Sequence, residues 1–258
     1  MFKTFLGIFI PALFAHLITD FVFQTDSSIR AKGKLPGLIG HGLIAGILTY
    51  FFVGVVPGWE LPLGVGLTHI LLDTWKMNSQ KGTRLRKFVL DQVGHVMILG
   101  LFSWAAIYRY TEVSGLWTSI WGWPYLLILT VISGAILSIY VVSFLVELTF
   151  EALGLQKRQA SSAAEEQSSF LKEEVGMSAG GRIIGYLERS LILLFVLVGY
   201  PAGIGFLIAA KSIFRFGELT ESGPRWLAEY IIIGTLLSIL FGTLFAYLTV
   251  GAIQKIIP

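Results

Sequence analysis

Pro124-Tyr125-Leu126-Leu127-Ile128-Leu129-Thr130-Val131-Ile132-Ser133-Gly134-Ala135-Ile136-Leu137-Ser138-Ile139-Tyr140-Val141-Val142-Ser143-Phe144-Leu145-Val146-Glu147-Leu148-Thr149-Phe150 carries one charged side chain, Glu147, in 27 residues. About 20 apolar residues suffice for a helix to cross the hydrocarbon of a bilayer. The run is continuous, not alternating, which fits a helix and not a barrel strand. Working outward, similar runs occupy Phe5–Phe23, Gly37–Val56, Leu61–Trp75, Phe88–Tyr108, Ile183–Gly199, Pro201–Arg215 and Trp226–Ile253. The expected architecture is all-α, a polytopic integral membrane helix bundle of about eight spans. The third, sixth and seventh spans are short. The sixth and seventh meet at Gly199-Tyr200-Pro201-Ala202-Gly203, which reads as a tight turn.

Composition agrees with this reading. Of 258 residues, 55% are hydrophobic and only 14% charged, whereas a soluble domain carries roughly 25% charged residues. Mean hydropathy is +0.76. A soluble enzyme, a disordered chain and a disulfide scaffold are excluded. The absence of cysteine removes thiolate metal sites and redox pairs. A net charge of +3, scattered along the chain, offers no footprint for nucleic acid. Met1-Phe2-Lys3 and the apolar run after it resemble a signal peptide. No small-x-small cleavage site follows, and His16 and Asp20 do not suit one, so the segment reads as a retained helix.

Basic residues set the orientation. Fifteen of the 19 Lys and Arg fall in alternate connections: Arg30, Lys32 and Lys34; Lys76, Lys81, Arg84, Arg86 and Lys87; Lys157, Arg158, Lys172 and Arg182; Lys211, Arg215 and Arg225. The positive-inside rule makes that side cytoplasmic and puts both termini outside, with Lys3 alone arguing the reverse. Trp59, Trp117, Trp121 and Trp123 then sit in outer loops, as an interfacial aromatic belt does. Residues 1–150 read as a five-span bundle and 181–258 as a three-span region. Between them, 151–180 is a polar, Ser/Glu-rich cytoplasmic linker suited to a protein partner.

All four histidines lie in the first 95 residues, one per span. His16 and Asp20, His69 and Asp73, and Asp91 and His95 are His/Asp pairs at i,i+4, so each pair shares a helix face. His41 opens the second span. The strings Ala15-His16-Leu17-Ile18-Thr19-Asp20 and Thr68-His69-Ile70-Leu71-Leu72-Asp73 form a weak internal repeat. At ~1.5 Å per residue, His16, His69 and His95 lie about 6 Å deeper than their Asp partners. Four helices thus present imidazoles and carboxylates at matching depths near the cytoplasmic side. Ionisable groups inside a bilayer cost roughly 2.5–3.5 kcal/mol each, and persist when paired or functional. A divalent metal, zinc or manganese, satisfies such a set, with His16, Asp20, His41, His69, Asp73, Asp91 and His95 as ligands in one centre or two. At ~2.0–2.2 Å such an ion should touch at least three of them. Asp20, Asp73 and Asp91 are the candidate catalytic carboxylates, one of them a general base for a metal-activated water. The plainer reading is that each His–Asp pair is a hydrogen-bonded clip between helices.

Other charges also carry two readings each. Lys76, three residues after Asp73, either neutralises it or holds a substrate phosphate. Glu188-Arg189 reads as an ion pair inside the sixth span. Lys211 and Arg215 share a face at i,i+4, either snorkelling to headgroups or forming an anion-binding wall. Asp26, after Gln24-Thr25, either joins the site or caps a turn. No His-Glu-x-x-His string, Gly-rich phosphate loop or Ser nucleophile elbow occurs.

At His16-x-x-x-Asp20-Phe21 with Gln24-Thr25-Asp26, His41, His69-x-x-x-Asp73 with Lys76, and Asp91-Gln92-x-x-His95, the chain resembles a bacterial inner-membrane family, domain of unknown function 3307. Its longer members are also similar at Ile184-Gly185, Leu187-Glu188-Arg189, Ala210-Lys211-Ser212, Arg215-Phe216 with Glu218, and Glu229-Tyr230. The resemblance implies a bacterial inner-membrane location but no reaction. More distantly, the His/Asp-rich spans look like membrane-bound metal-dependent hydrolases. The expected function is a metal-dependent membrane hydrolase for a lipid-linked or phosphate-bearing substrate, with Lys76, Lys211 and Arg215 as substrate-binding groups. Its rivals are a proton- or cation-coupled transporter and a non-catalytic scaffold or sensor. Membrane lipid is the expected partner.

Overall fold

A computed structural model describes residues 2–23, 35–54, 58–79, 82–109, 115–155, 171–219 and 225–257. Among them every regular element is a helix: α1 (Phe2–Leu17) running into a π-helical turn (Ile18–Val22), α2 (Leu35–Val53), α3 (Glu60–Asn78), α4 (Arg84–Arg109), α5 (Leu116–Trp121), α6 (Trp123–Ile136), a second π-helical turn (Leu137–Val141), α7 (Val142–Ala152), α8 (Leu171–Leu197), α9 (Ala202–Leu219) and α10 (Arg225–Ile256). Over the described residues, each apolar run thus falls on a helix. Five stretches are long and apolar enough to cross a membrane: Phe2–Val22, Leu35–Val53, Arg84–Tyr108, Trp123–Ala152 and Glu229–Ile256. By length and composition α3 and α8 fall outside this set, and in α9 only Ala202–Ile213 forms a shorter apolar helix. The turn after α8 is as expected: Gly199 takes φ +74°, a left-handed conformation that favours glycine. The Tyr200 amide there donates to the Phe195 carbonyl at 2.7 Å.

The chain divides into two units, Met1–Ser133 with Gly251–Pro258, and Gly134–Val250. In the first, α1 to α4 pack around Ile8, Ala12, Val53, Leu61, Val65, Leu99 and Ala106. Their outer faces carry exposed Leu43, Ile47, Leu63, Leu67 and Leu101, as suits helices whose solvent is lipid. With no water in hydrocarbon, every backbone group needs a protein partner, and the helix ends show how these are found. Pro11 inside α1 has no amide hydrogen to give the Gly7 carbonyl. The Thr118 hydroxyl donates to that carbonyl instead, at 3.2 Å. The last carbonyls of α2 are capped by the Trp117 indole N–H on Phe51 and the Tyr125 hydroxyl on Phe52, each at 2.6 Å. The Trp117 region, expected as an outer loop, is therefore a short helix that closes the end of α2 and bonds to α1 at Gly7.

Three glycines bring α2 and α3 into near backbone contact. A Cβ on Gly42 would stand 2.8 Å from the Gly66 carbonyl oxygen. One on Gly46 would stand 2.9 Å from that of Pro62, and one on Gly66 2.9 Å from that of Gly42. Small residues at such a crossing let membrane helices approach closely.

The second unit buries Ile192, Leu193, Val196 and Ala246. The expected Glu188–Arg189 ion pair is replaced by two separate arrangements, because neighbours on a helix point about 100° apart. Glu188 accepts from Lys211 Nζ at 2.6 Å. Arg189, buried, donates to the Ser238 hydroxyl at 3.0 Å and to the Ser143 hydroxyl. Lys211 is thus ion-paired, and the Arg215 side chain lies outside the described ones. Asp26 and residues 156–170 of the expected linker also lie outside the described residues, while α8 begins at Leu171, within that stretch.

Candidate metal centre

Helices α1 to α4 converge on one buried polar cluster. His16, Asp20, His41, His69, Asp73, Asp91 and His95 are all buried. The π-helical turn is seen in the Phe23 amide donating to the Ile18 carbonyl, five residues back, at 2.9 Å. It widens the helix at Asp20, whose carboxylate bonds with the neighbouring helices. Asp20 Oδ1 lies 3.1 Å from His41 Nε2 and 3.0 Å from His69 Nε2, and those two nitrogens are 3.0 Å apart. The hydrogen bonds therefore run between helices, where the i,i+4 spacing had paired residues of one helix. Asp91 and His95 remain close on α4, with Asp91 Oδ1 3.6 Å from His95 Nδ1.

Neutral imidazoles beside an ionised carboxylate do not satisfy this triangle. If both imidazoles donate to Asp20, two N–H groups face each other. If one donates to the other, an unprotonated nitrogen faces a carboxylate oxygen. One cation satisfies all three at once. The centre of the triangle lies about 1.8 Å from each atom, so an ion at the ~2.0–2.2 Å metal–ligand distance from all three sits just out of their plane. Asp73 Oδ2 stands 3.8 Å from His41 Nε2 as a fourth candidate. The ligand atoms of His41, His69 and Asp73 lie within 4.8 Å of one another, as do those of His16, Asp20, His69 and His95.

Gln92 is a member that sequence reasoning gave no role. His16 Nε2–H donates to Gln92 Oε1 at 3.3 Å, and Gln92 Nε2 donates to Asp20 Oδ2 at 3.2 Å and to Asp91 Oδ2 at 3.3 Å. Its signal was available: an amide beside Asp91, one turn before His95, on an otherwise apolar helix.

Lys76 pairs with Asp91 and not with Asp73, at 2.6 Å. Asp73 faces His41, whereas Asp91 enters from α4 and meets the ammonium. Lys76 is 34% exposed and Asp91 0%, so the lysine is the outermost charge of the group. Replacing it with Met should leave a buried carboxylate without its cation. Removing a partner from a buried charged acceptor costs upwards of ~1–3 kcal/mol. Thermal melts in detergent should show that loss for Lys76→Met and its recovery in Lys76→Met/Asp91→Asn. A double variant no more stable than the single one would contradict the pairing.

Fold and site together define a helical protein, with helices of membrane-spanning length and a buried His/Asp cluster in its first unit. Residues 8–122 match the family described as "Protein of unknown function (DUF3307)", which bears out the resemblance over that stretch. The match spans all seven cluster residues, Gln92 and Lys76, whereas Ile184 to Tyr230 lie beyond it. No curated protein and no solved structure matches the chain.

Proposed function

We propose that the chain is a membrane-embedded, metal-dependent hydrolase of about eight spans, in the bacterial inner membrane with both termini outside. A divalent ion, zinc or manganese, is held by Asp20, His41 and His69 with Asp73 beside them. The observation that carries this reading is the triangle of two imidazole nitrogens and one carboxylate oxygen at 3.0–3.1 Å, which a cation satisfies and neutral imidazoles beside an ionised carboxylate do not. Such an ion lowers the pKa of a bound water and supplies a nucleophile near neutral pH. Asp73, whose Oδ2 stands 3.8 Å from His41 Nε2, would be the base for such a water, and Lys76, at the rim, would attract a phosphate-bearing or lipid-linked substrate. In the second unit, Lys211 and Arg215 on α9 are kept as proposed substrate-binding groups, and the polar stretch 151–180 is the place for a cytoplasmic partner.

The burial of every ligand favours a second reading, in which the same site carries a cation or proton across the membrane. Elemental analysis of detergent-purified protein, with His69→Ala and Asp73→Ala beside it, tests the metal. Phosphate release from phosphatidic acid in mixed micelles containing zinc or manganese tests the chemistry. Hydrolysis predicts bound metal in the wild type, loss in both variants, and release that depends on the metal. Bound metal without release, together with uptake of the ion into proteoliposomes, would favour transport.

A further inference from the structure

Beside the triangle lie two imidazole nitrogens that it leaves unused. His16 gives its Nε2–H to Gln92 Oε1, and His95 gives its Nδ1–H to the Asp91 carbonyl at 2.9 Å. With one nitrogen donating, the other nitrogen of a neutral ring carries a lone pair. Those nitrogens, His16 Nδ1 and His95 Nε2, are buried and accept no hydrogen bond among the described residues. The two rings stack at 4.7 Å. Burying an unsatisfied polar atom costs upwards of ~1 kcal/mol, and here two occur in adjacent rings with their tautomers already fixed. A metal-ligating histidine has this form: one nitrogen on the metal, the other donating to a carbonyl or carboxylate that orients the ring.

From this we infer a second cation position, held by His16 Nδ1, His95 Nε2 and the Asp20 carboxylate. The inference rests on the metal reading above. Asp20 can serve both ions because its oxygens are divided. Oδ1 faces His41 and His69, and Oδ2 faces Gln92, so the carboxylate bridges. His69, whose Nε2 belongs to the triangle, stays with the first ion, since one lone pair binds one metal. Three protein ligands leave the second ion an open position for water, the pattern of a catalytic site more than a structural one. Gln92 is the positioning residue, because one amide fixes the His16 tautomer and the direction of Asp20 together. Asp91 orients His95 through its carbonyl and holds Lys76 through its carboxylate. Two ions bridged by a carboxylate suit displacement at an ester or a phosphoester, where one oxygen attacks and another leaves.

Manganese(II) alone is the probe. Detergent-purified wild-type chain, stripped with chelator and reloaded, should bind two ions per chain and show the exchange-coupled electron paramagnetic resonance signal of neighbouring Mn(II). His16→Gln and His95→Gln should each bind one ion and show the uncoupled six-line signal. Gln92→Leu, which removes no ligand, should weaken the second ion about 10–100-fold, as loss of an orienting partner does, and the first ion less, because only the second also depends on His16. One ion in the wild type, or an unchanged content in both histidine variants, overturns the second position while the triangle stands. No bound ion in the wild type overturns both.

Discussion

His69→Ala should empty the centre and destabilise the chain together. His69 is 1% exposed, and its Nε2 touches both Asp20 Oδ1 and His41 Nε2. Truncation removes one of the three atoms that define the triangle and leaves Asp20 with a single imidazole on that oxygen. Breaking a buried pair by deleting one partner costs roughly 3–5 kcal/mol. Loss of an orienting partner alone lowers metal affinity about 10–100-fold, so loss of a ligand should exceed that. Metal content by elemental analysis should fall below detection, with a lower melting temperature in detergent. Exogenous imidazole should return part of the metal, because the cavity left by the ring admits it. A His69→Ala chain that keeps wild-type metal and melting would place the metal elsewhere.

The second large effect should come from a residue that touches no ligand. Gly66→Ala adds a Cβ that would stand 2.9 Å from the Gly42 carbonyl oxygen, and backbone cannot rotate away as a side chain can. Helices α2 and α3 must then separate, and with them His41 and His69, whose nitrogens are 3.0 Å apart. Overpacking costs typically ~1–3 kcal/mol. The metal should weaken about as much as when an orienting group is lost, 10–100-fold. Gly40→Ala is the control on the same face of the question, because a Cβ there meets nothing within 4 Å. It should bind metal like the wild type and melt slightly higher, since alanine stabilises a helix interior by ~0.5–1 kcal/mol over glycine. Equal metal affinity in Gly66→Ala and Gly40→Ala would sink the idea that the glycine crossing builds the site.

Much of this was legible before any coordinates. Apolar runs such as Pro124–Phe150 locate helices because a continuous apolar stretch allows little else. The converging groups were legible because a His or Asp inside an apolar helix is costly and so informative. Four of them at similar depth on four helices are more informative still. What failed was the detail of pairing. The spacing of His16 and Asp20 assumes an α-helix, and the π-helical turn at Ile18–Val22 has no sequence mark apparent to us. Lys76 lies near Asp73 in the chain, yet it meets Asp91 at 2.6 Å, because proximity along a helix says nothing of the helix opposite. Gly42-x-x-x-Gly46 was a readable signal for close packing that the His/Asp pattern overshadowed. Span count depends on how much hydropathy a helix needs. The α3 helix shows the conflict, since it carries His69, Asp73 and Lys76, and the charges that lower its hydropathy are those of the cluster.

X-ray absorption at the zinc edge of the reloaded, detergent-purified wild-type chain reads the environment of the metal directly. The account predicts nitrogen and oxygen neighbours at ~2.0–2.2 Å, with the outer-shell scattering of at least two imidazoles, and loss of that imidazole signature in His41→Ala/His69→Ala. A spectrum of zinc ringed only by water and carboxylate oxygen, unchanged in the double variant, would contradict it.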